Sequence, residues 1–318
     1  MFRNLDGDLM ILGINGKMGL TLGRLALNAI KAAGVDKQVI GVSRFSDSAG
    51  RKKLESWGIK TIACDLIDAE AVSQLPKVRN VIFMAGRKFG TEGQEDLTWA
   101  MNTLVPGNVG NHFKDSRIVA FSTGCVYSLM TPESGGSIEE DIPAPIGEYA
   151  NSCLGRERVF QYCSRQFNTK VLLLRLNYAI DMRYGVLHDI ATQIWNNEAV
   201  NNTVGTFNIL WQGDANSYAL ESLQLADTPA AVLNITGPET VSVEYVARQL
   251  GILMGREVKF SGEPGSSGYL NNAAQAFERF GYPSVSLNEM IKLQAQWIMN
   301  DGNSLGKATH FEVNNGSF

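Results

Sequence analysis

Six short apolar runs punctuate the first half of the chain: LMILGI, QVIGVS, KTIACDL, NVIFMAG, RIVAFST and KVLLLRLN. Their hydrophobic residues follow one another instead of alternating with polar ones, the pattern of a strand buried on both faces. Between them lie longer stretches such as MGLTLGRLALNAIKAAG and SCLGRERVFQYCSRQF, which read as amphipathic helices. Strand–helix alternation with apolar strands predicts an α/β fold, a doubly wound parallel sheet covered on both faces, over residues 1–180.

After about residue 180 the texture changes. YGVLHDIATQIWNNEAV and VEYVARQLGILMG are helical in pattern, and FNILWQ and EVKF are short strand candidates. Residues 181–300 therefore read as a smaller C-terminal α/β region that mainly binds substrate and can return strands to the sheet. The polar, Gly- and Asn-rich tail over 301–318 is assigned no structure.

Composition narrows the class. At 318 residues, 44% hydrophobic and 19% charged, the chain can bury a substantial core. Its net charge of −4 and lack of a basic block argue against nucleic acid or an anionic membrane as partner. The start, MFRNLDGDLMILG, does not read as a signal peptide, and no apolar run is long enough to span a bilayer. Cys64, Cys125, Cys153 and Cys163 lack C-x-x-C spacing, which fits reduced thiols in a cytoplasmic protein. His112, His188 and His310 are isolated, and no metal site is expected.

Candidate chemistry begins where the first strand meets the first helix. ILGINGKMGLTLGRLAL places Gly13, Gly16 and Gly19 there, with Asn15, Lys17 and Met18 completing the turn. Glycines allow a tight turn and close backbone approach, and the helix N-terminus offers N–H groups to a pyrophosphate. A dinucleotide cofactor follows. The second strand ends VIGVSRFSD, with Ser43 and Arg44 where an acid would hold the adenosine ribose. A guanidinium suits a 2′-phosphate, and Lys17 adds a second positive charge, so NADP is preferred, with NAD the alternative.

The G-x-x-G-x-x-G spacing resembles that of the extended short-chain dehydrogenase/reductase family, which includes NAD-dependent sugar epimerases and dehydratases. Further landmarks follow in order over roughly residues 9–240. ACDLID resembles the adenine-side Asp-Leu pair, Asp65 and Leu66. VIFMAG resembles the fourth-strand motif that passes close to the cofactor, Ala85 and Gly86. WAMNTLVPGNV puts Asn102 at the family's structural asparagine. FSTGCVYS resembles the active-site strand, with Thr123 as the catalytic hydroxyl. LLLRLNYAIDMRYG resembles the sixth strand and its substrate-facing loop, with Asn177 at the turn. The resemblance implies a Rossmann-type fold and an oxidoreductase or epimerase activity. It also implies a homodimer paired through the helices of EDLTWAMNTLVPGNV and YANSCLGRERVFQYC.

In GEYANSCLG the family's tyrosine is Tyr149, but the lysine expected one helical turn later is Cys153. A phenol with a pKa of about 10 needs help to act as a base near neutrality. In the family that lysine supplies it, and Thr123 would hydrogen-bond the reacting oxygen. Four readings stay open: slow catalysis by Tyr149 and Thr123, a site rewired through Arg156 or Lys88, nucleotide binding without redox activity, and a thiol role for Cys153. On the first, Cys153→Lys would raise turnover near neutrality.

The expected substrate is a small hydroxy or carbonyl compound such as a sugar or sugar acid, with a nucleotide sugar as the alternative. Arg87 and Arg183 could meet its carboxylate or phosphate. A dinucleotide-binding sensor or regulatory protein is the alternative from a different class.

Overall fold

The computed structural model describes every residue except Phe89, Asn314, Ser317 and Phe318. The six apolar runs form strands β1 (Leu9–Leu12), β2 (Val39–Ser43), β3 (Lys60–Ala63), β4 (Asn80–Phe83), β5 (Arg117–Thr123) and β6 (Lys170–Leu176). With a strand at Ala231–Ile235 they make a seven-stranded sheet. Its order is Ala231–Ile235, β6, β5, β4, β1, β2, β3. β1 pairs in parallel with β2 and β4, β2 with β3, and β4 with β5. The order reverses on either side of β1, which creates the crevice where doubly wound sheets bind ligands. This is a Rossmann-type sheet.

The connecting helices are α1 (Gly19–Ala33), α2 (Ser48–Ser56), α3 (Ala69–Ser73), α4 (Glu95–Trp99), α5 (Val105–His112) and α6 (Gly147–Phe167). β1 and β4 are buried along their whole lengths, which explains their unbroken apolar runs. Val105, Val109 and Phe160 from α5 and α6 join Met10, Val81, Phe83 and Leu173 from the strands in one core. Between α4 and α5, residues Ala100–Leu104 form a π-helical turn. Pro106 has no N–H to give the Asn102 carbonyl, and its ring crowds that oxygen, so the α-helical ladder cannot continue there. Asn102 is wholly buried in this widened turn.

Contacts divide the chain into two interleaved units. One comprises Met1–Thr123, Gly147–Arg175 and Asn216–Leu233; the other comprises Gly124–Ile146, Leu176–Ala215 and Asn234–Phe318. The boundaries drawn from sequence texture at 180 and 300 are linear and do not follow this interleaving. In the second unit, α7 (Val186–Trp195) precedes α8 (Gln212–Glu221), which passes into the first unit; α9 (Val243–Met254), α10 (Ala274–Phe280) and α11 (Leu287–Met299) follow. Ile190, Ile194, Val246, Leu250, Met290 and Ile291 from α7, α9 and α11 share a core. The tail is attached to this unit. The Thr309 amide donates to Asp189 at 2.7 Å, and the Leu305 amide donates to the Arg183 carbonyl at 3.0 Å.

Candidate active site

The turn after β1 is built by its glycines. Gly13 has φ +88°, and a Cβ there would stand 2.8 Å from the Ala85 nitrogen, so only glycine lets the turn press against the end of β4. A Cβ at Gly19 would come within 2.3 Å of the Ile14 carbonyl oxygen, so α1 can begin tight beneath the turn. The Gly13 amide donates to the Val42 oxygen at 2.8 Å, anchoring the turn to β2. Met18 occupies the N-cap of α1; no side chain caps this helix, and its first turn holds no acid. An uncapped helix start with a positive dipole end is a seat for an anion.

A cleft of about 400 Å³ opens over this turn. Gly13, Asn15 and Gly16 form its floor; Ser43 and Arg44 lie on one side with Asp65 and Leu66; Ala85 and Gly86 close the other end. The chain thus brings together nine of the residues assigned to cofactor binding from sequence. Lys17, Met18 and Gly19 follow directly in the turn and first helical residue. Asn15 leans on α2, where a Cβ at Gly50 would meet its Oδ1 at 1.9 Å. Asn108 of α5 fixes the Asp65–Leu66 wall by donating to the carbonyls of Leu66 and Ile67 at 3.1 and 2.9 Å.

Sequence reasoning missed Phe45, Ser46, Asp47, Cys64, Met84 and Met101 on the same walls. Asp47 was findable, because FSDSAG carries a helix-capping signal, and its carboxylate accepts the Ala49 amide at 3.0 Å. Burial and the nearby carboxylates of Asp65 and Asp68 push the Cys64 thiol up, which keeps it protonated.

Tyr149 lies in the first turn of α6, half-buried, and Thr123 is the buried last residue of β5. Cys153 is wholly buried, with its Sγ 3.9 Å from Asn102 Nδ2. Asn102 is the hub of this region. Its Oδ1 accepts the Arg87 amide at 3.0 Å, and its Nδ2 donates to the Arg87 carbonyl at 3.0 Å and to Ser152 Oγ at 2.8 Å. Arg156 turns inward to the same hub, donating to Asn102 Oδ1 at 2.5 Å and to the Phe121 carbonyl at 2.8 Å. Its guanidinium fills the space a Cβ on Gly86 would take, 2.3 Å away. Beneath it, Glu157 accepts from Arg175 at 2.8 Å and from Ser122 at 2.6 Å in a fully buried network.

The side chains assigned to substrate are held by internal contacts. Arg87 donates to the Gly90 carbonyl and to Gln94 Oε1, both at 2.6 Å. In the second unit, Asn177 is buried and donates to the Tyr269 carbonyl at 2.7 Å. Arg183 makes a two-pronged pair with Asp181 at 2.8 and 2.7 Å, and this hydrogen bonding raises the guanidinium's pKa further.

A doubly wound sheet, a glycine turn at its crevice and an uncapped helix behind that turn define the class: a Rossmann-type α/β fold, whose crevice is of the kind that seats a dinucleotide. The glycine cradle, the uncapped helix start and the cleft dimensions fit such a cofactor. A profile of the NAD dependent epimerase/dehydratase family matches residues 9–180, more than half of the chain, and the chain belongs to that family of enzymes. No curated protein matches it. Among solved structures, it is similar to dTDP-glucose 4,6-dehydratase from Bacillus anthracis in complex with NAD (TM-score 0.79, 14% identity, 93% of this chain and 97% of that one). It is also similar to Pal from Bacillus thuringiensis (TM-score 0.77, 16% identity, 92% and 99%). A third is UDP-glucuronic acid 4-epimerase from Bacillus cereus with UDP-glucuronic acid and NAD (TM-score 0.74, 18% identity, 92% and 99%). At these identities the likeness establishes the fold. Among the described residues, no helix is long and apolar enough to cross a membrane.

Proposed function

We propose that the protein is a nicotinamide-dinucleotide-dependent epimerase or dehydratase of a sugar, with a nucleotide-linked sugar as the first candidate. The observation that carries this reading is the cleft itself. A glycine floor and a free helix N-terminus suit a pyrophosphate, the Asp65–Leu66 wall suits adenine, and Ala85 and Gly86 are the small residues that line the cleft after β4. Two of the similar solved structures are of a dTDP-glucose dehydratase and a UDP-glucuronic acid epimerase, which favours a nucleotide sugar over the smaller carbonyl compound expected from sequence.

When bound, the cofactor supplies reversible oxidation at the substrate carbon. The chain's own part is proton management and orientation. Tyr149 Oη takes the proton from the substrate hydroxyl, and Thr123 Oγ1 orients the same oxygen by hydrogen bonding. Asn102 positions the Arg87 backbone at the end of β4, next to Ala85 and Gly86. Ser43 and the exposed Arg44 favour NADP, whereas the NAD in two of the similar solved structures favours NAD.

Two further properties belong to this reading. Trp99 and Leu104, before α5, and Tyr162 on α6 are exposed large apolar residues, which favours a homodimer through these helices. A cytoplasmic location is in keeping with four buried cysteines that show no disulfide among the described residues.

The test is titration of NADH and NADPH by fluorescence, followed by incubation with a panel of UDP- and dTDP-linked hexoses and uronic acids. Tight dinucleotide binding with conversion of at least one sugar is expected. Failure to bind either dinucleotide overturns the proposal. Binding without conversion of any sugar favours the sensor reading, for which the absence of a lysine at 153 is the specific argument.

A further inference from the structure

The proposed reaction needs a cation near the Tyr149 phenol, and residue 153 cannot provide one. We infer that Lys88 provides it. In this chain the activating ammonium has moved from the helix to the loop after β4, where Lys88 acts as a positioning residue over the face of Tyr149. This inference rests on the assignment of Tyr149 above.

The contact is direct. The Lys88 ammonium lies 5.8 Å from the centroid of the Tyr149 ring, with both side chains half-buried. The backbone around it is fixed on both sides. Asn102 grips Arg87 through its amide and its carbonyl, and Thr91 Oγ1 donates to the Lys88 carbonyl at 3.0 Å. Thr91 is buried and linked to Thr98 of α4 at 3.2 Å. Lys88 is therefore delivered to the tyrosine by the asparagine that also contacts the cysteine.

An ammonium over a neutral ring is attracted to its quadrupole. It is attracted more strongly to a phenolate, which carries a full charge, so ionisation is favoured. At about 6 Å in a near-aqueous dielectric the effect is roughly half to one pH unit.

Other charged groups stand on the elements around this ring. On α6, the Glu148 carboxylate precedes Tyr149 and accepts the Trp99 indole N–H at 2.5 Å. Arg156 is directed to the Phe121 carbonyl and Asn102, and Glu157 is neutralised by Arg175. On α4, Glu95 accepts the Gly93 amide at 2.8 Å, and Asp96 shares that first turn. On the loop, Arg87 is bonded to Gly90 and Gln94. Arg156 is the competing cation, but its guanidinium is turned beneath Gly86.

The experiment titrates Tyr149 in the protein without added cofactor, using tyrosine isotopically labelled at Cζ and NMR. Tyr149→Phe identifies the resonance. Lys88→Met should raise the ionisation midpoint by about half to one pH unit, while Lys88→Arg should keep it near the wild-type value. With a converted sugar, the rising limb of kcat against pH should move in the same direction, with KM little changed. The inference is overturned if Lys88→Met leaves the midpoint unmoved, if only Arg156→Met moves it, or if the wild-type tyrosine does not ionise before alkaline unfolding. Because the titration needs no dinucleotide, its result is independent of whether the cofactor assignment holds.

Discussion

Restoring lysine at position 153 is the most informative single substitution, because the structure sets a cost in stability against the expected gain in turnover. The Cys153 side chain has no exposed surface, and its Sγ lies 3.9 Å from Asn102 Nδ2. Lysine brings about three extra heavy atoms into this packed space, an overpacking that costs roughly 1–3 kcal/mol. The ammonium would also arrive three residues before Arg156, which is 6% exposed. Arg156 is met there by two neutral oxygens, not by a carboxylate, among the described residues. A second buried cation either adds a few kcal/mol or gives up its proton. Together the loss is about 3–5 kcal/mol, or a fall in Tm of roughly 4–8 °C for a chain of this size. Thermal melts of wild type, Cys153→Met and Cys153→Lys, at about pH 6 and about pH 9, separate the two components. Cys153→Met should show the packing loss alone, independent of pH. A lysine whose folded pKa is depressed leaves the unfolded chain holding more protons, so stability should recover as pH rises towards about 10. If Cys153→Lys melts within one or two degrees (~1 kcal/mol) of wild type at both pH values and speeds turnover, the packing argument is wrong.

Four further outcomes are expected. Gly16→Val should fold, because a Cβ there meets only the Gly13 oxygen at 3.3 Å, but should lose dinucleotide binding in a fluorescence titration; normal binding would refute the phosphate turn. Arg44→Ala should weaken NADPH about ten-fold or more and NADH little, since only the former carries a 2′-phosphate to pair with; equal effects in parallel titrations would remove the basis for the preference. His112 should titrate below its ordinary value by NMR, because burial first and the Lys77 charge second outweigh its bond to the Leu75 carbonyl; its contribution to stability, present above about pH 6.5, should be lost as pH falls through the depressed folded value, and His112→Gln should flatten that part of the denaturation profile. Leu104→Asp with Tyr162→Asp should convert a dimer seen by light scattering into a monomer without changing the fold by circular dichroism; a wild-type monomer at micromolar concentration would sink the dimer.

The sheet was legible because buried parallel strands carry their own signature. All six apolar runs became strands, and the tight turn before α1 followed from three glycines placed between a strand and a helix. The wall around Asp65 and Leu66 came from family resemblance alone; neither residue type would identify it unaided. What could not be read was direction. Arg156 stands seven residues beyond Tyr149, near the same helical face, yet its guanidinium points into the core at Asn102. The helix period gives a side chain's face, not the reach of a flexible one. Lys88 was a candidate from sequence, but its contact with Tyr149 could not be read, since it depends on a loop whose path is set by Asn102 in a π-helical turn. The interleaving of the two units was beyond local pattern too, because residues 216–233 return to the first unit through pairings remote in sequence.

The place of Ala231–Ile235 in the sheet has a consequence for biosynthesis. That strand covers the flank of β6, whose central residues Val171–Leu174 are almost entirely inaccessible to solvent. On a ribosome adding roughly 5–20 residues per second, β6 emerges several seconds before its covering strand does. During that interval the apolar Val171–Leu174 core of KVLLLRL, flanked by the charges of Lys170 and Arg175, offers an unpaired edge of main chain of the sort that recruits another copy. Premature termination between residues 177 and 230 should therefore yield insoluble product instead of a soluble half-protein, and expression yield should respond to chaperone supply more than to changes in the cleft.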